Sequence, residues 1–403
     1  MAKRMSASAV KRLAGLELND LLLSGNLPHS VFDRTRVSSA GVPIFDISGE
    51  LLFQRVSLRK GNKPTGYVDI AVNPVFGAPF LGASTGAAWN YRDIRKAAIA
   101  AARKRRRRLR FDSIRIVAYS FPKLAAQFLL RGKEQMMLEL HSWKPVPEAR
   151  AGADDDGSQY FERWSYLESI RASRKRSNTN KFEKRLAQWD ELCPPRRPPR
   201  GFRPDLIRIR EFERLTRDFE IVPLVVSREL HYSPDNTHHH PCYELKSQLT
   251  DVWCVAASVQ MFLDFYRYNF AQTQLATDLG LGTLTSPNGL PYANDPLVVT
   301  VIENCTNNAL DANMNTSPTW SEFVTEINAN RPLISFIPGH ARTVAGYTRG
   351  RSIFGGFFRG LLVYDPWPNS PSIPPVTTTG GTITRWENFD TETYRRTFTA
   401  QFA

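Results

Sequence analysis

The sequence predicts an α+β fold in which a C-terminal domain, with one helix packed on an antiparallel sheet, follows a smaller α+β domain and a helical, Pro/Arg-rich linker. Three observations predict it. Strand-like runs surround one alanine-rich helix early in the chain, a charged stretch rich in proline and arginine follows, and a late cysteine starts a strongly apolar helix. We place the boundaries at residues 30–145, 146–204 and 205–403.

Alternating apolar residues predict the strands of the first domain. Residues 43–60 give two strands around Ser48-Gly49, and further strands follow at 66–72, 113–119, 125–130 and 136–141. Residues 89–108 carry Ile94 and several alanines at helical spacing and end in a run of arginines. The order predicts a curved antiparallel sheet packed by one helix.

The linker is predicted in three pieces. Residues 148–159 are acidic and rich in glycine. Residues 160–192 carry apolar side chains at loosely helical spacing, and we expect one or two helices broken near Ser177-Asn178. The run 193–204, which includes PPRRPPR, predicts a stiff, extended spacer.

Cys254 follows the loop QLTDVW and opens the helix-like run VAASVQMFLDFY. The unpaired backbone N–H groups and positive dipole end of a first helical turn favour a thiolate, the reactive form of cysteine. We expect Thr250 or Asp251 to cap the helix. Gln248 lies in the loop, where its amide and the Cys254 backbone N–H would form an oxyanion hole.

A nucleophilic thiol needs a proton acceptor, and His340 has the most suitable context of the seven histidines. It follows the apolar run 333–337 and the turn Pro338-Gly339, and it starts a second strand-like run. The next strand-like run, GLLVYDPWP, ends at Asp365. A carboxylate there could hold one imidazole nitrogen while the other faces the thiol.

The segments QLTDVWCVAASVQMFLDFY, PGHARTVAGY and LLVYDPWP resemble the papain-like cysteine peptidase superfamily, and within it the bacterial and archaeal double-glycine peptidases that process bacteriocin leaders. The resemblance covers roughly residues 220–403. It implies Cys254 as nucleophile, His340 as general base and acid, Asp365 as orienting group and Gln248 as oxyanion donor. Papain has asparagine in the third role, and the insert TRGRSIFGGFFRG lengthens the distance along the chain to Asp365. Trp367 could shield the His340–Asp365 bond from water.

A second resemblance concerns residues 30–145. The pattern DISGELLF, a central helix, then IVAYSFPKLAAQF is similar to the PepSY type of propeptide-like inhibitory domain found before some bacterial and archaeal peptidases. Its place before the catalytic domain suggests a zymogen in which this domain covers or regulates the active-site cleft, with the arginine-rich run 103–110 or PPRRPPR as the candidate cleavage or release site. The alternative is a binding module that brings a substrate to the catalytic domain.

The expected activity is therefore hydrolysis of peptide bonds in a peptide or protein substrate through an acyl-enzyme. Two alternatives stay open: another acyl transfer on the same triad (amidase, deamidase or transglutaminase-like), and an inactive peptide-binding protein. We expect no cofactor and no metal. The tract His238-His239-His240-Pro241-Cys242 does not favour a metal site, because neighbouring side chains of an extended strand point to opposite faces.

Composition limits the remaining choices. The formal net charge is +14, much of it in 103–110 and PPRRPPR, which is compatible with an anionic partner or with solvated surface, and no motif supports specific nucleic-acid readout. Four cysteines do not form a disulfide framework, although a Cys242–Cys305 bridge stays open. Neither a run of about 20 apolar residues nor a classical signal peptide is present. We expect a cytoplasmic protein without a membrane span, with non-classical export as the alternative.

Overall fold

The structure is a computed structural model that describes residues 5–85, 90–146, 163–195, 198–219, 225–230, 243–367 and 383–403. Three sequence predictions lie wholly or partly outside these ranges. They are the acidic segment 148–159, the tract His238–Cys242 and, with Cys242, the bridge to Cys305. Residues 196–197 of PPRRPPR also lie outside. None of the helices in the described ranges is long and apolar enough to cross a membrane.

The first part of the chain forms three helices and seven strands within the described residues. In order they are α1 (Ala7–Leu23), α2 (His29–Phe32), β1 (Arg36–Asp46), β2 (Leu51–Lys60), β3 (Lys63–Ala71), β4 (Phe80–Thr85), α3 (Tyr91–Arg105), β5 (Ser113–Ser120), β6 (Lys123–Leu130) and β7 (Lys133–Glu139). The predicted strands and the predicted helix are confirmed in type and near position. Helix α1 and strand β4 were not predicted.

The rest of the chain is richer in helices. In order the elements are α4 (Tyr166–Ser169), α5 (Ala172–Leu192), α6 (Ile209–Leu215), β8 (Val226–Glu229), α7 (Cys254–Phe265), α8 (Gln272–Asp278), α9 (Leu297–Cys305), β9 (Leu310–Asn315), α10 (Trp320–Asn328), β10 (Leu333–Ile337), β11 (His340–Arg351), β12 (Phe357–Asp365), β13 (Ile383–Asn388) and β14 (Arg396–Phe402). The fold is mixed, with a large sheet and packed helices, in agreement with the α+β class.

One sheet runs through both parts of the chain. Its strand order is β7-β6-β5-β1-β2-β3-β4-β13-β12-β11-β10-β14-β9, and β8 pairs with β11. Among the described pairs, β1 with β5 is parallel and the others are antiparallel. The junction is β4 with β13, where Ala83 lies opposite Trp386. Strands from the first part therefore continue the sheet that carries β11 and β12.

Helix α5 runs without interruption through the predicted break at Ser177-Asn178, so that prediction was wrong. Asparagine and serine favour turns because their side chains compete for backbone groups. Here Asn178 is buried, and its Nδ2 donates to the backbone oxygen of Val75 at 2.7 Å. The tertiary hydrogen bond satisfies the amide, so the helix continues.

The same helix contributes to two hydrophobic cores. Phe182 packs in a core with residues of α3, including Ile94 and Ala98. Seven residues later, Trp189 is fully buried in a second core that also contains Leu16 of α1 and the apolar face of α7. Helices α1 and α5 thereby stabilise the region in which α7 and β11 lie.

Candidate active site

Cys254 is the first residue of helix α7, as the sequence predicted, and its side chain is almost fully buried. The predicted caps were wrong. Trp253 is the cap residue, and no side chain in the described part of the chain accepts from the first turn there. Thr250 instead accepts, through Oγ1, from the backbone N–H of Val252 at 3.3 Å. The local turn uses the hydroxyl before the helix begins, which leaves the first-turn N–H groups near Cys254 uncapped.

His340 begins β11 directly after a tight turn. Ile337 of β10 pairs with His340, and Gly339 between them has φ 71°, a left-handed conformation that glycine adopts without steric cost. The backbone N–H of Gly339 donates to the hydroxyl of Tyr292 at 3.1 Å. The predicted turn between two strands is present, and the two strands pair as a hairpin that fixes the position of His340.

Asp365 ends β12 next to His340. Its Oδ1 accepts from Nε2 of His340 at 2.7 Å and from the backbone N–H of Trp367 at 2.8 Å. The insert TRGRSIFGGFFRG forms the outer end of the β11–β12 hairpin, where Arg351 pairs with Phe357. The insert therefore lengthens the hairpin beyond the site and does not displace Asp365 from His340.

The thiol of Cys254 and the imidazole of His340 are coupled. Burial raises the pKa of Cys254, but the nearby imidazole and positive charge of His340, the charge of Lys123 and the Ala341 backbone N–H together lower it below its usual value. Burial lowers the pKa of His340, yet the charge and hydrogen bond of Asp365 and the contact with Cys254 raise it. Both shifts favour a thiolate–imidazolium pair.

Asp365 stays ionised despite its burial. Desolvation raises its pKa, whereas the charge and hydrogen bond of His340, the Trp367 backbone N–H and the charge of Arg342 lower it. The net direction is downward. Because Nε2 of His340 is held by Asp365, Nδ1 is the nitrogen left for the thiol.

Gln248 is fully buried in the loop before the helix. Its backbone N–H donates to the oxygen of Pro366 at 3.1 Å, which ties this loop to the strand end at Asp365. Its Nε2 donates to the oxygen of Thr250 at 2.6 Å. One N–H of the side-chain amide is thus used within the loop, and a primary amide carries a second one.

Trp367 lies over the same group of residues. Its ring is 6.3 Å from the ring of His340 at an interplanar angle of 84°, and the side chain is almost fully buried. An indole in this position restricts water around the His340–Asp365 bond. The location agrees with the shielding expected from the sequence.

Residues from the first part of the chain reach the site, and no local motif singled out these particular residues. Ser120 accepts, through Oγ, from Nε1 of Trp164 at 2.8 Å. A Cβ added to Gly339 would lie 2.6 Å from that Oγ, so the β5–β6 turn, taken as residues 120–123, lies against the turn at residues 338–339 before His340 (the His340 turn). Lys123 follows in the same turn and is buried. No local pattern could reveal these contacts, because they arise between distant parts of the chain.

The family that the chain resembles matches its C-terminal part. Residues 242–394 match the model of the Peptidase_C39 like family, a range that contains Gln248, Cys254, His340 and Asp365. No curated protein matches the chain.

Among solved structures, a crystal structure of UfSP from C. elegans matches at 13% identity with a TM-score of 0.25. The match covers 45% of this chain and 35% of that one, so it spans about a third of the UfSP chain. The similarity of residues 242–394 to the Peptidase_C39 like family supports a papain-like, cysteine peptidase type of domain in this part of the chain.

Proposed function

We propose that the protein is a cysteine peptidase in which Cys254, His340 and Asp365 form the catalytic triad and Gln248 donates to the oxyanion. One observation carries the proposal. His340 is bound by Asp365 through Nε2, its buried Nδ1 has no hydrogen-bond partner among the described residues, and its positive charge lowers the pKa of Cys254 at the first residue of α7. A buried imidazole held between a carboxylate and a helix-start thiol is an arrangement for acyl transfer.

In the proposed reaction the Cys254 thiolate attacks the carbonyl carbon of the scissile bond, and the carbonyl π electrons move to oxygen. The Cys254 backbone N–H and the free amide N–H of Gln248 stabilise that oxyanion. His340 then gives its Nδ1 proton to the leaving amine as the C–N bond breaks. This step leaves a thioester and a neutral imidazole.

Water completes the cycle. Neutral His340 removes a proton from water, the hydroxide attacks the thioester carbon, and the C–S bond breaks to release the acid and regenerate the thiolate. Asp365 orients the imidazole in both steps and stabilises its protonated form. The papain-like resemblance and the double-glycine branch support the assignment but name no substrate for this chain.

An epoxysuccinyl probe tests the nucleophile. We expect the full-length protein to be labelled at Cys254 and the Cys254→Ala variant to remain unlabelled there. Cys193, which is buried and free, serves as a control, and Cys193→Ala should leave labelling unchanged. Labelling that persists after Cys254→Ala would refute the assignment.

A second assay separates peptidase activity from the other acyl transfers. Incubation with a peptide library should yield new peptide termini that depend on Cys254. Repetition with added primary amines identifies a transferase by amide products, and ammonia release without chain cleavage identifies a deamidase or amidase. A protein that the probe does not label at Cys254 and that gives none of these products would be an inactive peptide-binding protein.

We also propose that the N-terminal part inhibits the enzyme in cis, in the manner of the PepSY-like propeptide resemblance. Cys254, His340 and Asp365 are 3%, 1% and 4% exposed, so a peptide reaches the thiol only while this arrangement is open, and we expect slow reaction of the full-length protein. Ser120 of the β5–β6 turn lies against Gly339 and is held by Trp164. Movement of this turn would open the site.

The test keeps the full chain, because α1 and Trp189 belong to the core around α7. Trp164→Phe removes the hydrogen bond to Ser120 and should speed iodoacetamide labelling of Cys254 by about three- to tenfold, since one hydrogen bond is worth roughly 1 kcal/mol. Trp143→Phe, on a half-buried tryptophan of the same part, is the control. Equal labelling rates in the two variants would contradict inhibition by the turn.

A further inference from the structure

We propose that Lys123, carried by the β5–β6 turn, is a positioning residue of the active site whose ammonium group holds negative charge on the Cys254 sulfur. The N-terminal part would then both cover the nucleophile and stabilise its thiolate form. The inference rests on the proposed function in that it takes Cys254 as the nucleophile, and it adds a residue from outside the range that matches the peptidase family.

The position of Lys123 joins it to the triad. It is the first residue of β6, immediately after Pro122, and only 2% of it is exposed. Its Nζ lies 5.4 Å from the ring centre of Trp367. That indole is edge-on to His340, and its backbone N–H donates to Asp365. Trp367 therefore contacts both Lys123 and the His340–Asp365 pair.

A buried ammonium group is costly unless anions compensate it. Several titratable groups lie in this region. The charges of Glu139, Asp251 and Cys254 act on Lys123, and they also affect Tyr119 or Tyr292. His141, His340 and Asp365 contact Trp367. The negative charges of Cys254, Asp251 and Glu139 act on Lys123, and Cys254 exerts the largest influence of the three.

The two carboxylates already have other donors. Glu139 accepts from the backbone N–H groups of His141 and Ser142, and Asp251 lies 3.5 Å from Nζ of Lys144. Cys254 differs because its charge depends on pH and on His340. A positive charge on Lys123 shifts that balance towards the thiolate, while burial holds the pKa of Lys123 itself below its usual value.

The pKa directions agree with this arrangement. Burial raises the pKa of Cys254, and the charge of Lys123 acts with His340 to lower it. Burial lowers the pKa of Lys123, and the Cys254 thiolate opposes that effect. The coupling is reciprocal, so removal of either charge should move the pKa of the other group.

The coupling links access to reactivity. When the β5–β6 turn moves away to admit a substrate, the ammonium group of Lys123 leaves with it, and its charge no longer lowers the pKa of Cys254. We therefore expect the thiol to be more acidic in the covered form than in the open form. His340 remains in place and keeps the open enzyme active.

The experiment measures the rate of iodoacetamide alkylation of Cys254 against pH in the full-length protein, with the site identified by mass spectrometry. Lys123→Met should raise the midpoint by about one unit, which slows alkylation about tenfold on the acidic side, because a nearby opposite charge shifts a pKa by roughly that amount. Lys144→Met is the matched control, since Lys144 comes from the same part, lies near Asp251 and is 61% exposed. Lys123→Arg should keep the midpoint near that of the unaltered protein.

An unchanged midpoint in Lys123→Met, or equal shifts in both methionine variants, would overturn the proposal. If Lys123→Met does not fold, the reciprocal measurement replaces it. The titration of Lys123 is followed by NMR in protein labelled with 13C at the lysine ε carbons, and the Lys123 signal is assigned by its loss in Lys123→Arg. Cys254→Ala should lower the Lys123 titration midpoint. No change in that midpoint would refute the coupling. Alkylation needs no peptide substrate. Absence of peptide cleavage would therefore contradict the peptidase assignment alone, whereas an unchanged alkylation midpoint would contradict the coupling alone.

Discussion

Nε2 of His340 lies 2.7 Å from Oδ1 of Asp365, with side chains that are 0% and 5% exposed. At this distance, and with little water nearby, the carboxylate stabilises a protonated imidazole strongly. The protonated imidazole in turn favours the Cys254 thiolate. The acid-base properties of the site therefore depend on Asp365, which acts on the thiol through the imidazole of His340.

The first prediction concerns Asp365→Asn. Asp365 raises the pKa of His340, so its neutralisation should lower that pKa and move the alkaline limb of the pH profile of kcat/KM down by about one unit. The acidic limb should move up, because a less stable imidazolium lowers the Cys254 pKa less. The profile therefore narrows from both sides. Asp390→Asn, which removes the partner of exposed Arg359, should leave both limbs unchanged.

The second prediction compares two cysteines of one chain. The Cys254 pKa is lowered below its usual value, whereas burial and then Asp278 raise the pKa of Cys305 to about 11. The alkylation rate of Cys254 should reach its plateau at a lower pH than that of Cys305. Rates measured by mass spectrometry from pH 6 to 11 check this. A Cys254 midpoint at or above that of Cys305 would exclude the ion pair with His340.

The third prediction tests the contact between the β5–β6 turn and the His340 turn. Gly339 and Gly280 have φ of 71° and 70°, but a Cβ at Gly339 would meet Ser120 Oγ at 2.6 Å, and at Gly280 nothing lies within 4 Å. Both alanine variants should lose about 1 kcal/mol of unfolding free energy from backbone strain. Gly339→Ala should lose more, by about 1 kcal/mol.

Urea unfolding of the two variants and of a double-mutant cycle with Ser120→Ala gives the measurement. Ser120→Ala should recover part of the extra loss in Gly339→Ala, which appears as a coupling energy between residues in contact. Equal losses at Gly339 and Gly280, without coupling to Ser120, would show that the turn lies elsewhere in solution.

The fourth prediction concerns the core around α7. Trp189 is fully buried, donates from Nε1 to Oε1 of Glu17 at 2.5 Å, and has the Arg185 guanidinium 4.7 Å from its ring centre. Trp189→Ala should lower the unfolding free energy by about 3 to 5 kcal/mol. Glu183→Ala, on the exposed face of α5, should change it by less than about 0.5 kcal/mol. Chemical denaturation of both variants checks the difference.

Local signals predicted the site better than its surroundings. The turn before His340, the strand end at Asp365 and the helix start at Cys254 each depend on a few neighbouring residues, and the structure has all three. Thr250 was predicted as a cap and is not one, because its hydroxyl serves a turn one step earlier. Catalytic roles for these residues and for Gln248, and the three domain boundaries, remain predictions.

Features that depend on distant contacts could not be predicted. The pairing of β4 with β13 has no counterpart in the local pattern. Asn178 indicated a helix break because the sequence does not show the carbonyl of Val75 to which it donates. Lys123 gave no signal, since a lysine after a proline is ordinarily exposed. In each case a partner far along the chain decides the outcome.

The continuous sheet restricts how the covered site can open. If the N-terminal strands separated as a body, β13 would lose its partner β4 and present unpaired backbone N–H and C=O groups along a new edge. Such an edge can recruit strands from other molecules, so complete release would favour self-association. A swing of the short turn between β5 and β6 exposes the thiol without creating that edge. Selection against aggregation would thus favour a local, reversible opening over loss of the whole N-terminal part.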